Sequence, residues 1–297
     1  MRNFILGTDW WTDCDDCVAL RILARAHKNR EIHLLAIGIN ACMEFSAQSV
    51  LGFLNVEGVS DIPLCIDHRA TLFGGNPPYQ KNLSRYSKRV LSNSDIPDAV
   101  TLYRSILVNA LNNGEMLEII EIGFPQLLTG LLLSNPDAAC PLNGVELVGK
   151  TVSKIWVMAG KWDKQGEKEH NFSLNEFVSH NACAFCDTCP VPITFLGWEV
   201  GFDVITGSKL NDDDPLRIAM LDHGSVNGRS SWDPMLAVLA LVGDEEKAGY
   251  YTVTGKASVN ALTGQNFFCE NPQGLHKYVV RKYNADYYRD IIDKLIM

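Results

Sequence analysis

An apolar run at Phe4, Ile5 and Leu6 gives way at once to an acidic stretch, and from about Asp15 the spacing of apolar positions changes. Three consecutive apolar residues predict a short buried strand. Val18, Ile22, Leu23 and Ala26 then recur at helical spacing, with Arg21, Arg25 and Lys28 between them expected to face water. The alternation repeats. His33–Asn40 predicts a second buried strand ending on a polar residue, Ser46–Leu54 a helix with Ser46 as its N-cap, and Asp61–Ile66 a short strand. Strand, helix, strand, helix, strand implies a parallel sheet with helices on both faces.

Gly74–Ser84 carries paired glycines and prolines and predicts a loop, of a length that often serves as a lid. Asp98–Asn113 predicts a helix and Leu117–Ile122 a strand, after which Gly123-Phe124-Pro125-Gln126 turns into an apolar helix at Leu127–Leu133. Lys154–Met158 predicts a buried strand closed by Ala159-Gly160, Lys161–His170 a polar surface loop, Asn175–Phe185 a helix and Val191–Leu196 a strand. Asn211–Asp214 is expected to be a solvated cap before the helix that starts at Pro215, and Asp233-Pro234 opens a strongly apolar helix. Tyr250–Val259 and Lys277–Arg281 predict late strands, and Asp286–Ile296 a final amphipathic helix. No repeat, linker or low-complexity segment interrupts the pattern. Residues 1–297 are therefore expected to form one large α/β domain, a doubly wound, mostly parallel sheet with helices on both faces.

Composition narrows the function. A net charge of −9 argues against a nucleic-acid binder, which usually shows a basic patch. No stretch approaches the ~20 apolar residues that span a bilayer, and Asp9 interrupts the first apolar run too early for a secretory pattern. Nine scattered cysteines, an odd number in a long chain, predict reduced thiols and a cytoplasmic protein. Cys183, Cys186 and Cys189 have iron–sulfur-like spacing but no fourth cysteine at the expected distance, so they are expected to be buried thiols. The histidines show no zinc spacing.

The chemistry concentrates where the first strand hands over to the first helix. Asp9, Asp13, Asp15 and Asp16 fall within eight residues, at what would be the carboxyl end of a strand, where open parallel sheets bind ligands. A helix N-terminus offsets one or two negative charges by about 0.3–1 kcal/mol each. Four crowded carboxylates raise each other's pKa, and a divalent cation with oxygen ligands, calcium or magnesium, would resolve the crowding. The simpler alternative is that Asp13 or Asp15 caps the helix and the others are solvated. Asn40, Pro125-Gln126 and Asp233 also fall at strand ends or helix starts and are expected to converge on the same rim. Trp10-Trp11 would wall a pocket there or pack in the core.

These motifs resemble the inosine–uridine-preferring nucleoside hydrolase family. GTDWWTDCDDCVAL is similar to its N-terminal aspartate motif in a long-spaced form, INACMEF to its strand-end asparagine segment, and IGFPQLL to the loop that lends a carbonyl to a metal. VMAG followed by EHNFSLNEFVSHNACAF resembles the Met-Gly-Gly and Glu-Phe-Asn segments, and SWDPMLAV the start of the C-terminal His-Asp helix. The matches run in the family's order over most of the chain. The resemblance implies calcium-dependent hydrolysis of a ribonucleoside to ribose and free base, a role in nucleobase salvage, and a homo-oligomer. It implies Asp9, Asp16, Asp233 and the carbonyl of Pro125 as metal ligands, with Asp9 also the base that deprotonates water. It implies Asp15, Asn40, Glu169 and Asn171 on the ribose hydroxyls and Met158 against the sugar. The asparagine that precedes the family's Glu-Phe-Asn segment is not recognisable, and three further positions depart from the pattern. Gly7 stands where the motif opens with aspartate, His170 where the family has phenylalanine, and Trp232 where a histidine often precedes the aspartate. An indole cannot serve as an acid, so Trp232 is expected to stack on the base or to pack the helix start, with His170, His223 and His276 as candidate proton donors. Two other readings stay open: a non-catalytic nucleoside-binding protein, and a magnesium-dependent phosphate-ester hydrolase with an aspartate nucleophile.

Overall fold

A computed structural model describes residues 1–297. Its first half runs β1 (Arg2–Thr8), α1 (Asp15–Lys28), β2 (Ile32–Ile39), α2 (Ser46–Glu57), β3 (Leu64–Ile66), α3 (Gln80–Leu83), α4 (Ala99–Asn113), β4 (Leu117–Glu121), α5 (Gln126–Leu132), α6 (Gly144–Thr151) and β5 (Val152–Met158). The second half continues with β6 (Glu167–Lys168), α7 (His170–Ser173), α8 (Glu176–Thr188), β7 (Ile193–Leu196), α9 (Trp198–Gly201), β8 (Ile205–Thr206) and α10 (Pro215–Asp222). It closes with β9 (Arg229–Ser230), α11 (Trp232–Val242), β10 (Tyr250–Val259), β11 (Gln265–Glu270), β12 (His276–Arg281) and α12 (Ala285–Ile296).

Ten strands make one sheet in the order β3-β2-β1-β4-β5-β7-β12-β10-β11-β6. Neighbours from β3 to β12 run parallel, and β10, β11 and β6 extend that edge antiparallel. The strand order reverses between β1 and β4, which opens a crevice beyond their carboxyl ends. Strand alternation supplies both faces. Phe4 and Leu6 join one core with Val18, Leu51 and Leu236, while Ile5 joins the opposite core with Tyr103, Leu127 and Leu147. Each such side chain contributes about 1.5–3 kcal/mol on burial, so the apolar strands need cover on both sides. Helix ends follow local chemistry. Asp98 and Asn175 accept from the N–H groups of Thr101 and Val178 to start α4 and α8, and Gly114 ends α4 in the left-handed region.

Several sequence expectations change. Arg21 is buried rather than facing water, because Glu57 and Asp214 arrive from distant elements and bind it at 2.7 and 2.6 Å. Asn211, Asp212 and Asp213 are exposed as expected, while Asp214, which does cap α10, is half-buried against Arg21. Ser46 lies inside α2, its hydroxyl donating to Ala41 O and accepting from Met43 N–H. The stretch expected to be a surface loop before His170 buries Trp162 and Glu169 and pairs β6 with β11. The glycine- and proline-rich segment winds into α3, burying Tyr79, Gln80 and Leu83. α6 and β11 were not expected. No helix is long and apolar enough to cross a membrane.

Candidate active site

β1 does not run straight into α1. Trp10 takes φ 45°, in the left-handed region that bulky residues rarely enter. Holding such a residue there costs on the order of 1–3 kcal/mol and needs firm anchors. Trp10 has them: it is fully buried between Phe53 and Tyr79, and its indole N–H donates to Ser49 Oγ at 2.8 Å. Its backbone N–H lies 3.1 and 3.2 Å from Thr8 Oγ1 and Asp16 Oδ1, and the Thr8 hydroxyl donates to the same Asp16 oxygen. The twist sends Trp10 into the core and leaves Asp9 and Trp11 on a cleft of about 300 Å³ at the reversal of strand order. The tryptophan pair thus divides between core and wall.

Five aspartates line that cleft: Asp9, Asp13, Asp15, Asp16 and Asp233. Carboxylate oxygens of Asp15, Asp16 and Asp233 lie within 4.8 Å of one another, and all three side chains are buried. Two helix starts bring them together, since Asp15 and Asp16 open α1 and Asp233 sits in the first turn of α11. The Asp233 backbone N–H donates to Asp15 Oδ2 at 3.2 Å. Burial first, and then mutual repulsion, holds the pKa values of Asp15, Asp16 and Asp233 well above the carboxylate range. Burial likewise pushes Asp9 up to about 8. This oxygen-only donor set suits a hard divalent cation. Asp13 differs, because Arg229 binds it through Nε at 2.8 Å and Nη2 at 2.5 Å. The neighbouring Cys14 and His223 are engaged with Ser225 Oγ, so that grouping is already satisfied.

The opposite wall is formed by Ile122, Met158, Glu169, His170 and Asn171. Glu169 accepts the N–H groups of Gly160 and Asn171, both at 2.9 Å, and burial pushes it up to about 7. Asn171 Nδ2 donates to Met158 O at 3.0 Å, which fixes the amide against the end of β5. His170 stacks on Trp11 at 5.8 Å, and Trp11 Nε1 donates to Gly74 O at 2.8 Å, so the glycine-rich loop closes over this wall. Trp198, Arg229 and Trp232 complete the cleft.

Asn40 and Pro125 stand behind the cleft rather than on its surface. The Asn40 amide is committed to Glu121 Oε1 at 2.8 Å and to the Phe124 N–H at 3.1 Å. The Pro125 carbonyl accepts the first helical N–H of α5, from Thr129, at 2.9 Å. Glu121 itself is fully buried at the end of β4, accepts from Gly123 N–H at 3.0 Å, and is pushed by burial up to about 8. A Cβ on Gly7 would overlap its carboxylate, so the glycine at position 7 leaves room for the Glu121 side chain.

No protein-family profile and no curated protein matches this chain. Solved structures do. The inosine-uridine preferring nucleoside hydrolase from Bacillus anthracis aligns over 100% of this chain and 99% of its own, with a TM-score of 0.68 at 16% identity. The purine-preferring ribonucleoside hydrolase from Gardnerella vaginalis aligns over 99% and 98%, with a TM-score of 0.72 at 14% identity. The chain has the nucleoside hydrolase fold. The same fold covers 99% of this chain and 93% of the type III effector XopQ, complexed with adenosine diphosphate ribose, with a TM-score of 0.65 at 12% identity.

On the nucleoside hydrolase fold, the structure gathers Asp9, Asp15, Asp16, Met158, Glu169, Asn171, Trp232 and Asp233 around one cleft. Sequence reasoning missed Glu121, Arg229 and Trp198. An acid ending the apolar strand LEIIE was a usable signal for Glu121. Nothing in the short segment around Arg229 marked it out. Cys183, Cys186 and Cys189 form no ligand cluster; the thiols of Cys183 and Cys189 face Asp187 and Val191 O.

Proposed function

We propose that this protein hydrolyses the N-glycosidic bond of a ribonucleoside, with calcium bound at the aspartate cleft. The observation that carries the reading is the set of buried aspartates at the strand-order reversal of a nucleoside hydrolase fold. The donors fit such an ion: the carboxylates are buried, crowded and short of counter-charge apart from Arg229 on Asp13. Asp9, Asp16 and Asp233 would hold it; the Pro125 carbonyl, the fourth ligand that the resemblance implies, lies behind the cleft and accepts the Thr129 N–H. Calcium, when bound, positions the ribose 2′- and 3′-hydroxyls and the attacking water and makes that water more acidic.

The chain's own residues supply the rest. Asp9 accepts the proton of the attacking water. Asp15, in the same trio as Asp16 and Asp233, accepts from a ribose hydroxyl, as do Glu169 and the oxygen of Asn171. Met158 packs against the sugar. Asn40 acts from behind, holding the Phe124 N–H and thereby the loop that carries Pro125. The concentration of negative charge stabilises an oxocarbenium-like transition state. No lysine lines the cleft, which disfavours an aspartate-nucleophile phosphatase. Incubation of the purified protein with calcium and a nucleoside panel, assayed for reducing sugar, tests the reading. Ribose release is the expected result. Binding without release identifies a nucleoside-binding protein, and phosphate release from an ester panel identifies a phosphatase; either outcome overturns the proposal.

A further inference from the structure

If the cleft cleaves nucleosides, the departing base needs help, and the histidines are poorly placed to give it. His276 is buried on β12, its Nδ1 accepting the Ala257 N–H at 3.0 Å, and it does not reach the cleft. His223 is bonded to Ser225 Oγ at 2.8 Å and also lies outside the lining. His170 reaches the cleft but is stacked on Trp11, and burial lowers its pKa, so it is neutral and has no acidic proton to give at neutral pH. One cationic side chain remains. Arg229 is the only lysine or arginine lining the cleft, and it is held rigidly: Nε and Nη2 grip both oxygens of Asp13, and its guanidinium carbon lies 5.3 Å from the Trp232 ring centroid. Nη1 has no partner within the protein, although the side chain is only 31% exposed.

We propose that Arg229 is the leaving-group residue of this site, its Nη1 hydrogen-bonding the departing base so that the base leaves as an anion. This rests on the hydrolase reading above. A guanidinium does not give up its proton near neutrality, so its part is electrostatic. The C1′–N bond breaks with its electron pair going to the base nitrogen and, by resonance, to the adjacent acceptor atom facing Arg229. The water oxygen bonds to C1′ and its proton passes to Asp9. The base anion takes a proton from solvent after release, and Asp9 returns its own to solvent. The substrate class follows: nucleosides with an acceptor beside the glycosidic nitrogen, pyrimidine O2 or purine N3, reacting faster as the free base is more acidic. Uridine is thus favoured over cytidine. Asp13 is a positioning residue, and its two bonds aim the fork.

Arg229→Gln and Arg229→Lys, compared with the unmodified protein in saturating calcium, test this on uridine, cytidine and p-nitrophenyl riboside, whose leaving group needs no stabilisation. Thermal unfolding and a calcium titration are read alongside to establish that both variants fold and bind the ion. Removing one such donor typically lowers kcat by about 10²–10³-fold. That loss is expected for Arg229→Gln on uridine, with less than a tenfold loss on p-nitrophenyl riboside and partial recovery in Arg229→Lys. An equal loss on both substrates, or no loss on uridine, overturns the role of Arg229 while leaving the hydrolase reading intact. Unmodified protein inert towards every riboside overturns both.

Discussion

The proposed calcium site at Asp9, Asp16 and Asp233 makes a prediction that can be worked from the structure. Asp9 has an ordinary pKa near 3.8 and is raised by burial to about 8, and Asp15, Asp16 and Asp233 are raised in the same direction. The folded, metal-free chain therefore keeps protons that the unfolded chain gives up. The stability from Asp9 is full below the ordinary carboxylate pKa and is lost as pH rises through about 8, and the other three act in the same direction. Calcium must displace those protons, so its stabilising effect grows with pH. At a hundredfold excess over Kd, mass action contributes about 2.7 kcal/mol. With about 2.1 cal/mol/K of unfolding entropy per residue, 297 residues give about 0.6 kcal/mol/K, and the expected rise in Tm is about 4 °C. Thermal unfolding with calcium and with a chelator, at about pH 6 and about pH 8.5, measures it. The rise should be larger at the higher pH and should collapse in Asp233→Asn. An equal rise in that variant, or no response to any divalent ion at alkaline pH, would refute the reasoning.

Asp9→Asn should lower kcat by at least the roughly 10²–10⁴-fold typical of losing a general base, with a smaller change in nucleoside affinity; an unchanged rate in a variant shown to bind metal removes Asp9 from the mechanism. Trp232 is half-buried, with its Nε1 donating to Trp198 O at 2.7 Å, so Trp232→Ala should raise KM, most for purines, and cost less than the ~3–5 kcal/mol of a fully buried tryptophan. Steady-state kinetics with urea unfolding checks both, and a stable variant with unchanged kinetics leaves Trp232 without a role in binding. Burial lowers the pKa of His276 from 6.5 to about 4, so the stability it contributes is full above pH 6.5 and is lost as pH falls through 4. The span is worth about 3 kcal/mol, and His276→Gln, followed by urea unfolding against pH, should flatten that acid limb. A limb of unchanged depth would assign it to other groups.

The parallel half of the fold was legible because each strand there is a continuous apolar run, and Tyr250–Val259 was bounded as it occurs. α6 escaped because eight residues with two glycines carry too little helical period, and β11 because a strand near the sheet edge exposes half its residues. Arg21 was misplaced for a different reason: its period marks it as polar, and only the arrival of Glu57 and Asp214 makes burial tolerable. The site divides along the same line. The aspartates of the β1–α1 junction lie close in sequence, so their crowding could be read directly. Arg229 meets Asp13 across 216 positions, and no local pattern announces that pairing. The family resemblance implied Asn40 on the ribose, and nothing in its own segment reveals that Glu121 holds its amide.

The carboxylate of Glu121, lodged where position 7 has no side chain, also bears on how this chain can change over time. The aspartate expected at position 7 is absent, and a buried carboxyl group from the adjoining strand lies against that position. The two positions are locked together. Any side chain at position 7 collides with Glu121, whereas loss of Glu121 alone strips the Asn40 amide and the Gly123 N–H of an acceptor. Each single step away from the present arrangement passes through an overcrowded or an unpaired state. Substitutions at positions 7 and 121 are therefore expected to be non-additive, each changing what the other costs.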